Sequence, residues 1–246
     1  AILAAGLLWL TLEGARGMGY NWQWYRVPRY LWRIYEGQVI WGPLMKGLAE
    51  TCRIALTAFL LTLAIGLAVA LAQRATGLVA PALARAYVEV VRNTPLLVQL
   101  YLFYFVLAPI LGIDRWWAGV LCLAVFEGAF AAEIVRAGIA AVPRGQWEAA
   151  DALGLARPDA LRSVVLPQAL RLMLAPLTNL AITLVKHSSI VSVIAVFELT
   201  TQARNVISDT FMSFEIWFTV AAMYLVVTLS LSLVATLLER RLEPAR

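Results

Sequence analysis

Residues 216–238 run for twenty-three positions without one charged side chain, and that stretch limits what the chain can fold into more than any other feature. A helix needs about 20 mostly apolar residues to cross the hydrocarbon core of a bilayer. Inside that core every backbone N–H and C=O must be satisfied by the protein itself. Ile216–Leu238 therefore reads as a membrane-spanning α-helix. Ile54–Ala72, Thr94–Leu111 and Trp116–Ala132 have nearly the same character. A fifth stretch, Leu172–Phe197, is long enough but carries Lys186 and His187 near its middle. A lone ionisable group at that depth costs about 2.5–3.5 kcal/mol on insertion scales, so this span is expected to face other helices or a wet cavity. The expectation is an all-α integral membrane protein of about five transmembrane helices.

Composition agrees with this. The chain is 62% hydrophobic and 14% charged, against about 45–50% and 25% in soluble domains. The net charge of +5 would elsewhere suggest nucleic acid, but here it is the arginine excess that orients a membrane protein. If the first span runs inward, the inner connections hold Arg74, Arg85 and Arg92, then Arg136, Arg144, Arg157, Arg162 and Arg171, and finally Arg240, Arg241 and Arg246. The outer loops hold Arg115 and Arg204. Eleven against two places the 143–171 loop and the C-terminus in the cytoplasm. Cys52 and Cys122 have no metal-ligand or redox spacing, and a single histidine leaves no ordinary zinc ligand set.

The first 47 residues differ from the rest. Ala1–Leu12 is apolar, yet twelve helical residues cover only about 18 Å, so it reads as a partial extra helix. Glu13–Gly47 mixes tryptophan and tyrosine with Arg16, Arg26, Arg29, Arg33 and Lys46. That is the composition of a membrane interface, or of a connector to another domain. The expected division is 1–47, a transmembrane domain over 48–241, and a short tail over 242–246.

The most informative connection is Arg144–Arg171, RGQWEAADALGLARPDALRSVVLPQALR. Ala, Leu, Glu and Gln favour helix, and Gly154–Pro158 hinges two short helical runs, with Pro158 suited to the first turn of the second. Trp147, Ala150 and Leu153 share one face. A helix exposed to cytosol gains nothing by offering tryptophan to water, so a partner's groove is expected to receive that face, with Glu148 and Asp151 meeting basic residues.

These residues resemble the loop of the membrane subunits of ABC importers. Its pattern is Glu-Ala-Ala, three residues, Gly, nine residues, a branched aliphatic, one residue, then Leu-Pro. Here stand Glu148-Ala149-Ala150, Gly154, Val164 and Leu166-Pro167, with valine where isoleucine is usual. The chain resembles in particular the permeases for polar amino acids of the histidine, arginine and glutamine type. The segments that carry this likeness are Arg92–Gln99, Ala132–Arg136, Gly145–Glu148 and Leu184–Ser189, and the match covers roughly 43–241. The resemblance implies the type I importer permease fold in the bacterial cytoplasmic (inner) membrane. It implies a pair of permease subunits, the same chain or a sister, with two ATP-binding subunits below and an extracytoplasmic amino-acid-binding protein above. ATP and Mg would sit on the ATPase, and the coupling residues would be Gln146, Trp147, Glu148, Ala149, Ala150, Asp151 and Gly154. Two positions depart from the family: His187 stands where Asp or Asn is usual, and Glu127 where the residue is commonly uncharged.

The chain contains no Gly-x4-Gly-Lys-Ser/Thr phosphate loop, so it is not expected to be an enzyme by itself, and the energy must come from a partner. For the substrate path, Thr183 and His187 lie four apart, as do Ser188 and Ser192, with Lys186 and Ser189 beside them. The competing role for the serines is a hydrogen bond to the backbone four residues earlier. Glu127 either pairs with Lys186 or another cation, protonates, or meets a cationic substrate. Gln99, Tyr101 and Tyr104 are weaker candidates, and Glu133 with Arg136 forms a helical ion pair. The alternative is an ATP-independent secondary transporter or channel, which often shows internal repeats and paired broken helices. Neither is evident, and a membrane enzyme would leave His187 without a catalytic partner in sequence.

Overall fold

The computed structural model describes residues 19–242, with Gly6, Trp9, Glu13, Gly14 and Gly17 before them. Apart from Gly6 and Trp9, the expected helix Ala1–Leu12 lies outside the described residues, as does the tail beyond Leu242. A short helix α1 (Pro28–Leu31) leads into a hairpin of β1 (Trp32–Tyr35) and β2 (Gln38–Trp41). Seven further helices follow: α2 (Pro43–Gln73), α3 (Val79–Arg92), α4 (Leu96–Leu111), α5 (Arg115–Ala140), α6 (Arg144–Ala152), α7 (Arg157–Ile194) and α8 (Leu199–Thr210). The last described element, α9, is Ser213–Leu242. The hairpin departs from the all-α expectation. Its two-residue turn, Glu36-Gly37, has φ of 49° and 76°, the left-handed pair whose twist suits antiparallel strands.

Among the described residues four helices, α2, α5, α7 and α9, are long and apolar enough to cross a membrane singly. The remaining expected span, Thr94–Leu111, appears as α4 joined to α3, the pair bent by 110° at Asn93–Pro95. Pro95 keeps the residue before it out of helical conformation, and α4 alone is about 24 Å long, short of a hydrocarbon core. The bend is pinned by Gln99, whose amide donates to Val91 O at 2.9 Å and to Thr94 Oγ1 at 2.7 Å.

The centre of the fold is α5, with 67% of its apolar window buried within the chain against 11% for α9. Its glycines allow this. A Cβ on Gly128 would sit 2.7 Å from Ile65 Cγ2, and one on Gly66 of α2 would sit 2.5 Å from Ala131 Cβ. Small residues let membrane helices approach until their backbones touch. Asp114 caps α5, accepting from Trp117 N at 2.9 Å. Two smaller clusters close the ends. At the hairpin end Val27, Tyr30 and Leu44 pack with Leu199, Met212 and Ile216. At the loop end Ala70, Ile139, Val165 and Met173 pack together, with Trp147 against them.

Candidate functional site

Two features hold chemistry, the α6–α7 loop and a pocket between α5 and α7. In the loop, Pro143 precedes α6, and Gly154 ends it with φ of 74°. Gly154 N donates to Asp151 O at 2.9 Å and Leu155 N to Ala150 O at 3.1 Å. These are bonds that a left-handed residue after a helix makes possible. Pro158 stands in the first turn of the next helical run, as the sequence predicts.

The apolar face of α6 is arranged differently from the sequence expectation. Ala150 is buried, and half-buried Trp147 packs onto the chain's own cluster around Val165 and Met173, not into open solvent awaiting a partner. Leu153 stays 79% exposed, and Glu148, Ala149 and Asp151 are exposed with it. The free edge is thus narrow and acidic. Gln146 fastens it to α7 by accepting from Gln168 Nε2 at 2.9 Å. The motif's Leu166-Pro167 has its own local effect. Pro167 offers no N–H to the carbonyl four residues back and its ring crowds it, and the chain widens into a π turn at Leu161–Val165.

The pocket, about 320 Å³, is lined by Phe126, Glu127 and Phe130 from α5 and by Pro176, Asn179, Leu180, Thr183 and His187 from α7. It adjoins a second pocket of about 520 Å³ that shares Phe130, Ile134 and Pro176 and carries Arg92, Glu133 and Arg136 toward the loop end. Glu127 is buried and lies 2.6 Å through Oε1 from His187 Nδ1. The partner of Glu127 is therefore His187 and not Lys186, which is exposed. Glu133 pairs with Arg136 at 2.7 Å as expected, and Arg92 lies 4.0 Å from the same carboxylate.

Of the residues expected along a path, Glu127, Thr183 and His187 are brought together. The others are elsewhere: Gln99 holds the bend, and Ser188 and Ser189 each donate at 2.7 Å to the carbonyl three residues back. Ser192 accepts from Arg204 Nη2 at 2.5 Å. The α-helix ends at His187 and tightens into a 3-10 turn over Ser188–Ile194. At three residues per turn, four-apart positions no longer share a face. Asn179 was missed, although Pro176, Asn179, Thr183 and His187 already trace a helical stripe. Glu198 was missed too. It is buried at the N-cap of α8 and accepts from Thr200 N and Thr201 N, both at 2.8 Å, and from Tyr224 OH at 3.1 Å. Its only sequence signal is an acidic residue just before a helical run. Among the described residues no group of three or more His, Cys, Asp or Glu could hold a metal ion.

Residues 62–244 match the family model for the binding-protein-dependent transport system inner membrane component. The chain is 39% identical over 215 residues to the glutamine transport system permease protein GlnP of Escherichia coli (strain K12), covering 85% of this chain and 98% of that one. It is 34% identical over 202 residues to the arginine transport system permease protein ArtQ of Bacillus subtilis (strain 168), covering 81% and 92%. A crystal structure of an amino acid ABC transporter with histidines superposes with a TM-score of 0.77 at 41% identity, over 81% of this chain and 94% of that one. With its spans, bent α3–α4 segment and Glu-Ala-Ala loop, the chain belongs to the binding-protein-dependent inner membrane components, the permease subunits of ABC importers.

Proposed function

We propose that this permease carries a polar amino acid inward, driven by a separate ATPase that grips the α6 edge at Glu148–Gly154. The arginine count supports a cytoplasmic loop and C-terminus. The ATPase would then lie below, holding ATP and Mg, with a second permease subunit alongside and an extracytoplasmic binding protein above. One observation carries the coupling: α7 is a single 38-residue helical path from Arg157 to Ile194, fastened to α6 through Gln146–Gln168 and contributing Thr183 and His187 to the pocket. A push on the exposed edge therefore reaches the pocket through one continuous element. Nucleotide shifts this equilibrium only to the extent that it favours one state over the other. The pocket's polar groups suit a zwitterion. Within it the Glu127 carboxylate, held by His187, is the group that would meet a cationic side chain.

The test is Glu148→Arg in the complex reconstituted with its ATPase and binding protein in proteoliposomes. Charge reversal at the grip should leave membrane insertion intact and abolish ATP-driven uptake. Uptake at the parent rate would remove the coupling role.

A further inference from the structure

The hairpin is an amphipathic plate with one wholly apolar face. Its register sets Trp32 opposite Trp41 and Ile34 opposite Val39. Cross-strand partners and residues two apart point to the same side of a strand pair, so these four share a face. All four are exposed, at 51%, 53%, 74% and 63%. The other face pairs Arg33 with Ile40 and Tyr35 with Gln38. A two-stranded hairpin with nothing covering its apolar side is marginal in water.

Its position says what covers it. The hairpin joins α2 within one residue, and its base is tied by Gly42 N donating to Leu31 O at 2.7 Å. Leu44, Val27 and Tyr30 pack with Ile216, where the charge-free run of α9 begins. The hairpin base therefore stands beside the first turn of that charge-free run, at the end of the helix bundle. Lys46 and Glu50, one and two turns further along α2, line a separate pocket of about 340 Å³ with Arg115 and Gln202. Trp24 continues the aromatic surface onto Phe218 of α9. Charge points the same way. Between Tyr20 and Trp41 there are three arginines and one glutamate, and Arg33 Nε donates to Arg29 O at 3.1 Å, grouping two exposed cations beside the plate.

From this we infer that the hairpin lies in the bilayer interface, its Trp32–Ile34–Val39–Trp41 face in the acyl boundary and Arg29 and Arg33 among anionic headgroups. Tryptophan and arginine favour that depth. The assignment requires only that the chain spans a membrane, and it is independent of which substrate is carried.

The test uses spin labels on the permease–ATPase complex in vesicles of phosphatidylethanolamine and phosphatidylglycerol. Single cysteines replace Ile34, Val39, Arg33 or Gln38 in a Cys52→Ser background, and the buried Cys122 stays. Labels at 34 and 39 should be severalfold more accessible to oxygen than to a water-soluble nickel reagent, and labels at 33 and 38 the reverse. Four water-accessible labels would overturn the inference, as would labels at 34 and 39 shielded from both reagents, the mark of a protein covering that face. In a separate arm, Arg29→Gln with Arg33→Gln should make the labels at 34 and 39 shallower in these vesicles but not in phosphatidylcholine alone. An equal depth in both would remove the anionic-lipid contact.

Discussion

Consider Glu127→Gln. The substitution keeps the length of the side chain and one acceptor oxygen but removes the charge from a buried position. His187, 35% exposed on its side chain, can still donate from Nδ1 to the amide oxygen, so the fold should tolerate the change. What is lost is the carboxylate that, on the proposed function, would meet a cationic substrate in the 320 Å³ pocket. A hydrogen bond to a charged group is worth about 1.5–3 kcal/mol, and each 1.4 kcal/mol is tenfold in affinity. Half-saturation for arginine should therefore rise roughly ten- to a hundredfold relative to glutamine. His187→Gln should move the ratio the other way, because it removes the ring that occupies Oε1 of the carboxylate. The assay is competitive uptake of radiolabelled arginine and glutamine by the reconstituted complex, with KM and turnover measured separately. Unchanged uptake of both amino acids by Glu127→Gln would refute the role of this carboxylate in selectivity.

Two predictions concern the scaffold. Gly66→Ala places a methyl group 2.5 Å from Ala131 Cβ and 3.0 Å from its carbonyl carbon, so α2 and α5 must separate; overpacking of this kind costs about 1–3 kcal/mol, read as a lower melting temperature of the purified complex. Burial pushes the Glu198 carboxyl above its ordinary range, outweighing the hydrogen bonds it accepts. The native state then holds that proton more tightly than the unfolded chain, so stability is greatest below the ordinary carboxylate pKa and falls as pH rises through the raised one. Melting temperature should fall with rising pH across that window, and Glu198→Gln should flatten the slope; an identical slope in the variant would contradict the assignment.

Some of this protein is written locally in its residues. Charge-free runs can satisfy their backbones only as helices within a membrane, so the spans follow from composition and length. Gly154 and Pro158 act on neighbouring backbone, as does the three-residue spacing of Glu133 and Arg136, and each is legible without a fold. The hairpin was not foreseen: Glu-Gly is not among the strong two-residue turn pairs, and the aromatic and basic composition around it reads as interface. Tertiary structure decided the rest. Glu127 meets His187 and not Lys186 because α7's rotation against α5 turns one toward the pocket and the other out. The serines beyond His187 leave the stripe because the helix tightens there. Trp147 turns inward because Val165 and Met173 fill the space beneath it. The first and third outcomes depend on how elements distant in sequence pack against one another, which is not encoded in the neighbours of any one residue.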